Sequence, residues 1–124
     1  MHCVVIDDSE LVRKVFGRMF QRLGFRVNEA GNGKVALDAC SADMPDVVLV
    51  DLNMPVMDGV TFIRYLRNLP SGDKPKVILC SIEDSAAHIS EAMTAGADEY
   101  LGKPFDLQLL ISKLSALGLN VAAS

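Results

Sequence analysis

The chain has 124 residues, half of them hydrophobic, and a formal charge of −4 at pH 7. That length forms one compact domain with a real core, and no second domain is expected. The acidic balance disfavours a nucleic-acid or anionic-membrane surface, since both need clustered Lys and Arg. Cations and proteins are the expected ligands.

The apolar runs, such as Val4-Val5-Ile6 and Val47-Val48-Leu49-Val50, have the length of strands and fall far short of the roughly 20 residues that cross a bilayer. Met1 leads through a strand-like run into Asp7 and Asp8 with no basic region, long apolar stretch or small-residue cleavage site, so export is not expected. Cys3, Cys40 and Cys80 are widely spaced in apolar stretches. They fit reduced core thiols in a cytoplasmic protein better than a disulfide set or a metal cluster.

Five short β-like runs alternate with helical patterns. The first strand is expected over Cys3–Ile6. Leu11, Val12, Val15, Phe16, Met19, Phe20 and Leu23 then share one helical stripe that Gly24 closes. A strand over Phe25–Glu29 leads through Gly31-Asn32-Gly33 to a short helix over Lys34–Ser41. After the strand Val47–Val50, Asp58-Gly59 reads as a turn feeding a third helix with Phe62, Ile63 and Leu66 inward. The strand Val77–Cys80 precedes a fourth helix from near Ser85 to Ala95, with Ile89, Ala92 and Met93 inward and Gly96 as its stop. The last strand, Glu99–Leu101, is followed by a helix carrying Leu107, Leu110, Ile111, Leu114 and Leu117, with Asp106 as N-cap and Gly118 as stop. Residues 1–118 form the expected domain, and 119–124 a short C-terminal tail. Such alternation implies a doubly wound α/β fold, a parallel sheet covered on both faces.

In an open parallel sheet, ligands bind beyond the carboxyl ends of the strands. Strand one ends in Asp7 and Asp8, strand three in Asp51, strand four in Ser81, and strand five leads to Lys103-Pro104. Three converging carboxylates repel one another unless a cation joins them. All-oxygen ligands without nearby His or thiolate favour a hard ion, and an open site suits Mg²⁺. A strand-end carboxylate beside a metal and an ammonium group can attack a phosphoryl group and form an acyl phosphate.

Taken together, Asp7-Asp8, Asp51-Leu52-Asn53-Met54-Pro55 with Asp58-Gly59, Ser81, Tyr100 and Lys103-Pro104-Phe105 resemble the signature of response-regulator receivers of the CheY-like, single-domain kind. The resemblance covers nearly the whole chain. It implies a flavodoxin-like sheet of order 2-1-3-4-5 with five helices and a phosphorylation-dependent switch of a two-component system. By position, Asp51 would be the phosphoacceptor and Asp7, Asp8, Asp51 and the backbone carbonyl of Asn53 the Mg²⁺ ligands, with Mn²⁺ as a substitute ion. Lys103 and Ser81 would assist the transfer. Ser81 and Tyr100 would relay it to a face made by helix four, strand five and helix five, and the Lys103-Pro104 bond is often cis in this family.

The implied partners are a sensor histidine kinase or phosphotransferase and a downstream target protein, with the chain a monomer or weak dimer and not an enzyme beyond its own phosphorylation and dephosphorylation. Chemotaxis is a familiar role for isolated receivers of this kind, but nothing on the expected docking face specifies it. Ile82 departs from the small residue usual after the hydroxyl position; it could restrict access to the pocket and crowd Tyr100. Asn53 and Glu83 are polar enough to touch an attacking water or a partner.

Singly, these residues have plainer readings. Asp7 and Asp8 could be N-caps, Tyr100 a half-buried strand aromatic, His2 and His88 surface or edge residues, and Arg13 and Lys14 a solvated helix face. Three other functions compete. Gly31-Asn32-Gly33-Lys34-Val35-Ala36 loosely matches a dinucleotide fingerprint but follows the second strand. An aspartyl-nucleophile phosphatase needs a second acid two residues after its nucleophile, where Asn53 stands. A pseudo-receiver would bind partners without phosphorylation.

Overall fold

The computed structural model describes residues 1–82 and 86–121. Strands β1 (His2–Ile6), β2 (Arg26–Ala30), β3 (Val47–Asp51), β4 (Lys76–Ser81) and β5 (Glu99–Gly102) alternate with helices α1 (Glu10–Arg22), α2 (Gly33–Ala42), α3 (Gly59–Arg67), α4 (Ala86–Ala95) and α5 (Leu107–Ala116). All strand pairings are parallel and the sheet order is β2-β1-β3-β4-β5. The chain moves from β1 outward to β2 and returns on the other side of β1 to β3. The reversal opens a crevice at the carboxyl ends of β1 and β3.

The central strands bury both faces, and strand alternation divides the core in two. Val4, Ile6, Val48, Val50, Val77 and Leu79 pack beneath α2, α3 and α4, where Phe62, Ile63 and Leu66 fill the layer. Cys3, Val5, Leu49, Ile78, Cys80 and Leu101 face α1 and α5, where Phe16 and Phe105 stack at 4.3 Å and Phe20 meets Phe25 edge-on. Among the described residues, Ser9, Asn32, Asp58 and Asp106 cap α1, α2, α3 and α5, each accepting from a backbone N–H three residues on.

Several expectations shift. Leu11 is 74% exposed and Val15 is also exposed, because α1 buries only the narrow stripe centred on Phe16 and Phe20. Met93 is exposed too, since α4 reaches the core through small Ala92. The expected start of α4 at Ser85 lies outside the described residues. His2 is buried, not at the surface: it begins β1 inside the sheet, its ring nitrogens have no hydrogen-bond partner, and Nδ1 lies 3.6 Å from Asp43. Past Gly118, Leu119 and Val121 rest on the α1/α5 core.

Candidate functional site

Asp7 follows the last residue of β1, and Asp51 is the last residue of β3, so both stand at the crevice where the strand order reverses. Asp8 comes next along the chain and is exposed, whereas Asp7 and Asp51 are buried. One carboxylate oxygen from each of the three lies within 4.8 Å of the others. Ser9 takes the N-cap of α1, which rules out capping as the role of Asp7 and Asp8; instead the Ser9 N–H donates to Asp7 Oδ1 at 2.9 Å.

Lys103 enters from the loop after β5. Its Nζ donates to Asp7 Oδ2 at 2.8 Å and lies 3.4 Å from Asp51 Oδ1. The backbone helps to aim it, with the Lys103 N–H on the Ser81 carbonyl at 2.9 Å and a cis Lys103-Pro104 bond turning the chain. Burial works against the ammonium charge, but its hydrogen bond to Asp7 and the charges of Asp51 and Asp7 outweigh it and raise the Lys103 pKa. The Asp51 carboxyl is also raised: burial contributes most, the Lys103 charge opposes it, and Asp7 and Asp8 add to it. One ammonium thus leaves three acids under-compensated.

Ser81 is buried at the end of β4, in register with Gly102. Tyr100 is half-buried, and its hydroxyl donates to the Ser81 carbonyl at 3.2 Å. Asn53 is exposed in the β3–α3 loop, two residues beyond Asp51. With Leu52, Asp58, Val60, His88 and Glu91 it lines a cleft of about 180 Å³. Gly59 seats that loop, because a Cβ there would stand 2.5 Å from the Asp51 carbonyl oxygen. Ile82 is 80% exposed, so its side chain points largely to solvent. Glu83 lies outside the described residues. Cys80, beside Asp51 in the sheet, is pushed up to about 12 by burial and is an inert thiol near neutral pH.

Two sequence features take other roles. Asn32 accepts the Val35 N–H at 2.9 Å and occupies the α2 N-terminus, while a Cβ at Gly33 would meet Met57 at 2.9 Å. The glycine-rich segment is therefore shaped by packing against its own chain. Arg13 is not on a solvated face: its side chain is 17% exposed, and it bonds Glu29 and the Asp7 carbonyl. Nothing in its local sequence separates it from Lys14, which is exposed.

The family model for the response regulator receiver domain matches residues 3–115. The chain is a response-regulator receiver domain. Response regulator MprA of Mycolicibacterium vanbaalenii is 37% identical to this receiver over 114 residues, covering 92% of this chain and 48% of that protein. The receiver thus spans about half the length of the curated relatives it matches. Among solved structures, chemotaxis protein CheY4 of Vibrio cholerae superposes with a TM-score of 0.88 at 29% identity, over 93% of this chain and 96% of that one. The receiver domain of sensor histidine kinase PA1611 from Pseudomonas aeruginosa, with a magnesium ion coordinated in its active-site cleft, gives 0.85 at 25% identity, over 93% and 94%. The fold is the CheY-like, flavodoxin-like one, and the receiver is a component of two-component signalling. Receivers bind Mg²⁺ at an acidic pocket, and the three clustered carboxylates here form such a pocket.

Proposed function

We propose that this receiver is a phosphorylation switch in which Asp51 accepts a phosphoryl group from the phosphohistidine of a sensor kinase or phosphotransferase. The observation that carries this is the meeting of Asp7, Asp8 and Asp51 within 4.8 Å at the sheet crevice, with Lys103 3.4 Å from Asp51. Asp7, Asp8, Asp51 and the Asn53 backbone carbonyl are the protein's ligands for Mg²⁺, with Mn²⁺ as a substitute. When bound, Mg²⁺ neutralises charge on the acceptor and on the transferring oxygens.

The remaining work falls to the chain. An Asp51 oxygen attacks phosphorus as the phosphorus–nitrogen bond of phosphohistidine breaks, and the leaving imidazole keeps the electron pair and takes up a proton. Lys103 pairs with a phosphoryl oxygen, and the Ser81 hydroxyl donates to another. The Tyr100–Ser81 hydrogen bond links the pocket to β5. Movement of Ser81 therefore redirects Tyr100 and alters the face of α4, β5 and α5 that a downstream protein reads. The receiver turns over no substrate beyond its own phosphorylation and dephosphorylation. Exposed Leu11, Val56 and Ile82 offer apolar surface for the phosphodonor protein.

Intact mass after incubation with Mg²⁺ and acetyl phosphate tests the reading, beside an Asp51→Ala control. A single Mg²⁺-dependent phosphoryl adduct, lost in the control, is expected. Absence of any adduct or beryllofluoride complex would move the receiver to the pseudo-receiver class, which binds partners without phosphorylation.

A further inference from the structure

Every polar group of Asp7 has a partner. Its N–H donates to the Ala30 carbonyl at 3.2 Å, Oδ1 accepts from Ser9 and Oδ2 from Lys103. Its backbone carbonyl accepts from Arg13 Nη1 at 2.8 Å. Asp8 is the opposite case: it is exposed, and among the described residues no hydrogen bond holds its carboxylate. The peptide plane that it shares with Asp7 places its Cα, from which the side chain departs. Arg13 fixes that plane by holding the Asp7 carbonyl oxygen.

The guanidinium is itself fixed. Nε donates to Glu29 Oε1 at 3.2 Å, and the other Glu29 oxygen takes Lys14 Nζ at 2.8 Å. On a third side lies Gly31, where an added Cβ would stand 3.4 Å from Arg13 Nη1. The planar fork thus spans from β2 to the Asp7–Asp8 turn, with both directions defined at once. Glu29, whose burial would raise its carboxyl but which Lys14 and Arg13 hold below the usual range, shares its one charge between the two and offsets part of the charge of Arg13. A cation can therefore stand near a cation site without closing it.

We infer that Arg13 is a positioning residue for the metal site: by locking the Asp7–Asp8 peptide it presents the Asp8 carboxylate to Mg²⁺ beside Asp7 and Asp51. The inference rests on the Mg²⁺ reading of the acidic pocket. It makes a prediction opposite in sign to simple electrostatics. Removing a nearby positive charge would tighten Mg²⁺ binding if charge alone mattered, whereas releasing the peptide plane weakens it.

The experiment is a Mg²⁺ titration of the full chain followed by the amide resonances of Asp7, Asp8 and Ser9, for wild type, Arg13→Met and Arg13→Lys. Arg13→Met is expected to weaken Mg²⁺ by about tenfold, the low end of what loss of an outer partner costs a metal site. Arg13→Lys keeps the charge but not the planar fork, and is expected to weaken it by about threefold. Equal or tighter binding by Arg13→Met overturns the inference. If that variant does not fold, unchanged affinity in Arg13→Lys overturns it instead. A wild type whose three amides do not respond to Mg²⁺ would sink the metal reading itself, and the inference with it.

Discussion

The two ends of the sheet use charge in opposite ways. At the amino end, Arg67 closes α3 and donates to four partners, two in the segment that follows the helix and two about 30 residues on. Its Nε and Nη2 reach the Gly96 carbonyl at 3.1 and 2.7 Å, Nη1 the carbonyls of Gly72 and Pro75 at 2.9 and 2.8 Å, and Nη2 also Asp98 at 3.0 Å. Asp98 in turn accepts the Val77 N–H at 2.8 Å. The charge there is matched by acceptors. At the carboxyl end, three carboxylates meet one ammonium, and Asp51 holds its proton more tightly than an ordinary carboxyl. Completed charge at one end stabilises the fold, and unmet charge at the other leaves a place for a cation.

The largest expected effect tests the completed end. Arg67→Ala strips donors from three backbone carbonyls and leaves Asp98 without its cation, which should cost about 3 kcal/mol, since hydrogen bonds to charged groups contribute roughly 1.5–3 kcal/mol each. Urea unfolding would show a lower midpoint, while Mg²⁺ affinity measured well below the transition stays at the wild-type value. A loss of Mg²⁺ affinity of similar size would mean that the two ends are not independent, and the contrast would fail.

A substitution at the incomplete end should act with the opposite sign. The folded pKa of Asp51 is raised, so the unfolded chain ionises first as pH climbs. Stability is therefore full below the ordinary carboxylate value near about 4 and declines as pH rises toward the folded value, leaving a penalty at neutral pH. Asp51→Asn removes that penalty. In EDTA at pH 7 it should raise stability by about 1 kcal/mol, a few degrees in Tm, with the gain fading as pH falls toward about 4 and absent below it. Added Mg²⁺ should shrink the difference, because wild type then gains binding energy that the variant lacks. A lower Tm for Asp51→Asn at pH 7 would show that Lys103 depends on Asp51 more than Asp51 suffers from burial.

This contrast also explains what could be read from the sequence. Asp7, Asp8, Asp51, Ser81 and Lys103 each end or follow a strand, and strand ends are visible as breaks in apolar runs. The fold rule then gathers them at one edge. Arg67 has no comparable signal: its acceptors are backbone carbonyls at Gly72, Pro75 and Gly96, and a carbonyl leaves no mark on the residue type. Arg13 reads as a solvated helix face in the sequence for the same reason, since its decisive partner is the Asp7 carbonyl, and Glu29 is 16 residues away with no helical or strand register linking the two. His2 looked like an edge residue because only the sheet pairing to Arg26 shows it to be inside β1.

The smallest expected effect concerns the loop that follows Asp51. The Met57 N–H reaches back to the Pro55 carbonyl at 2.7 Å, and Val56 between them has φ 72°. An i to i+2 bond around a positive φ is the rarer, strained hand of γ-turn, and a β-branched side chain is poorly suited to it. Val56 is also 81% exposed, so little packing offsets the strain. Val56→Gly removes the side-chain clash but frees the unfolded backbone, leaving a net gain of about 1 kcal/mol from a strain of roughly 1–3 kcal/mol. A higher urea midpoint at unchanged slope would place a second uncompensated cost at the carboxyl end, in the loop that follows Asp51. A midpoint at or below wild type would show that the strain is absorbed by the neighbouring Met54 and Met57 contacts, and that unmet charge alone distinguishes this end of the sheet.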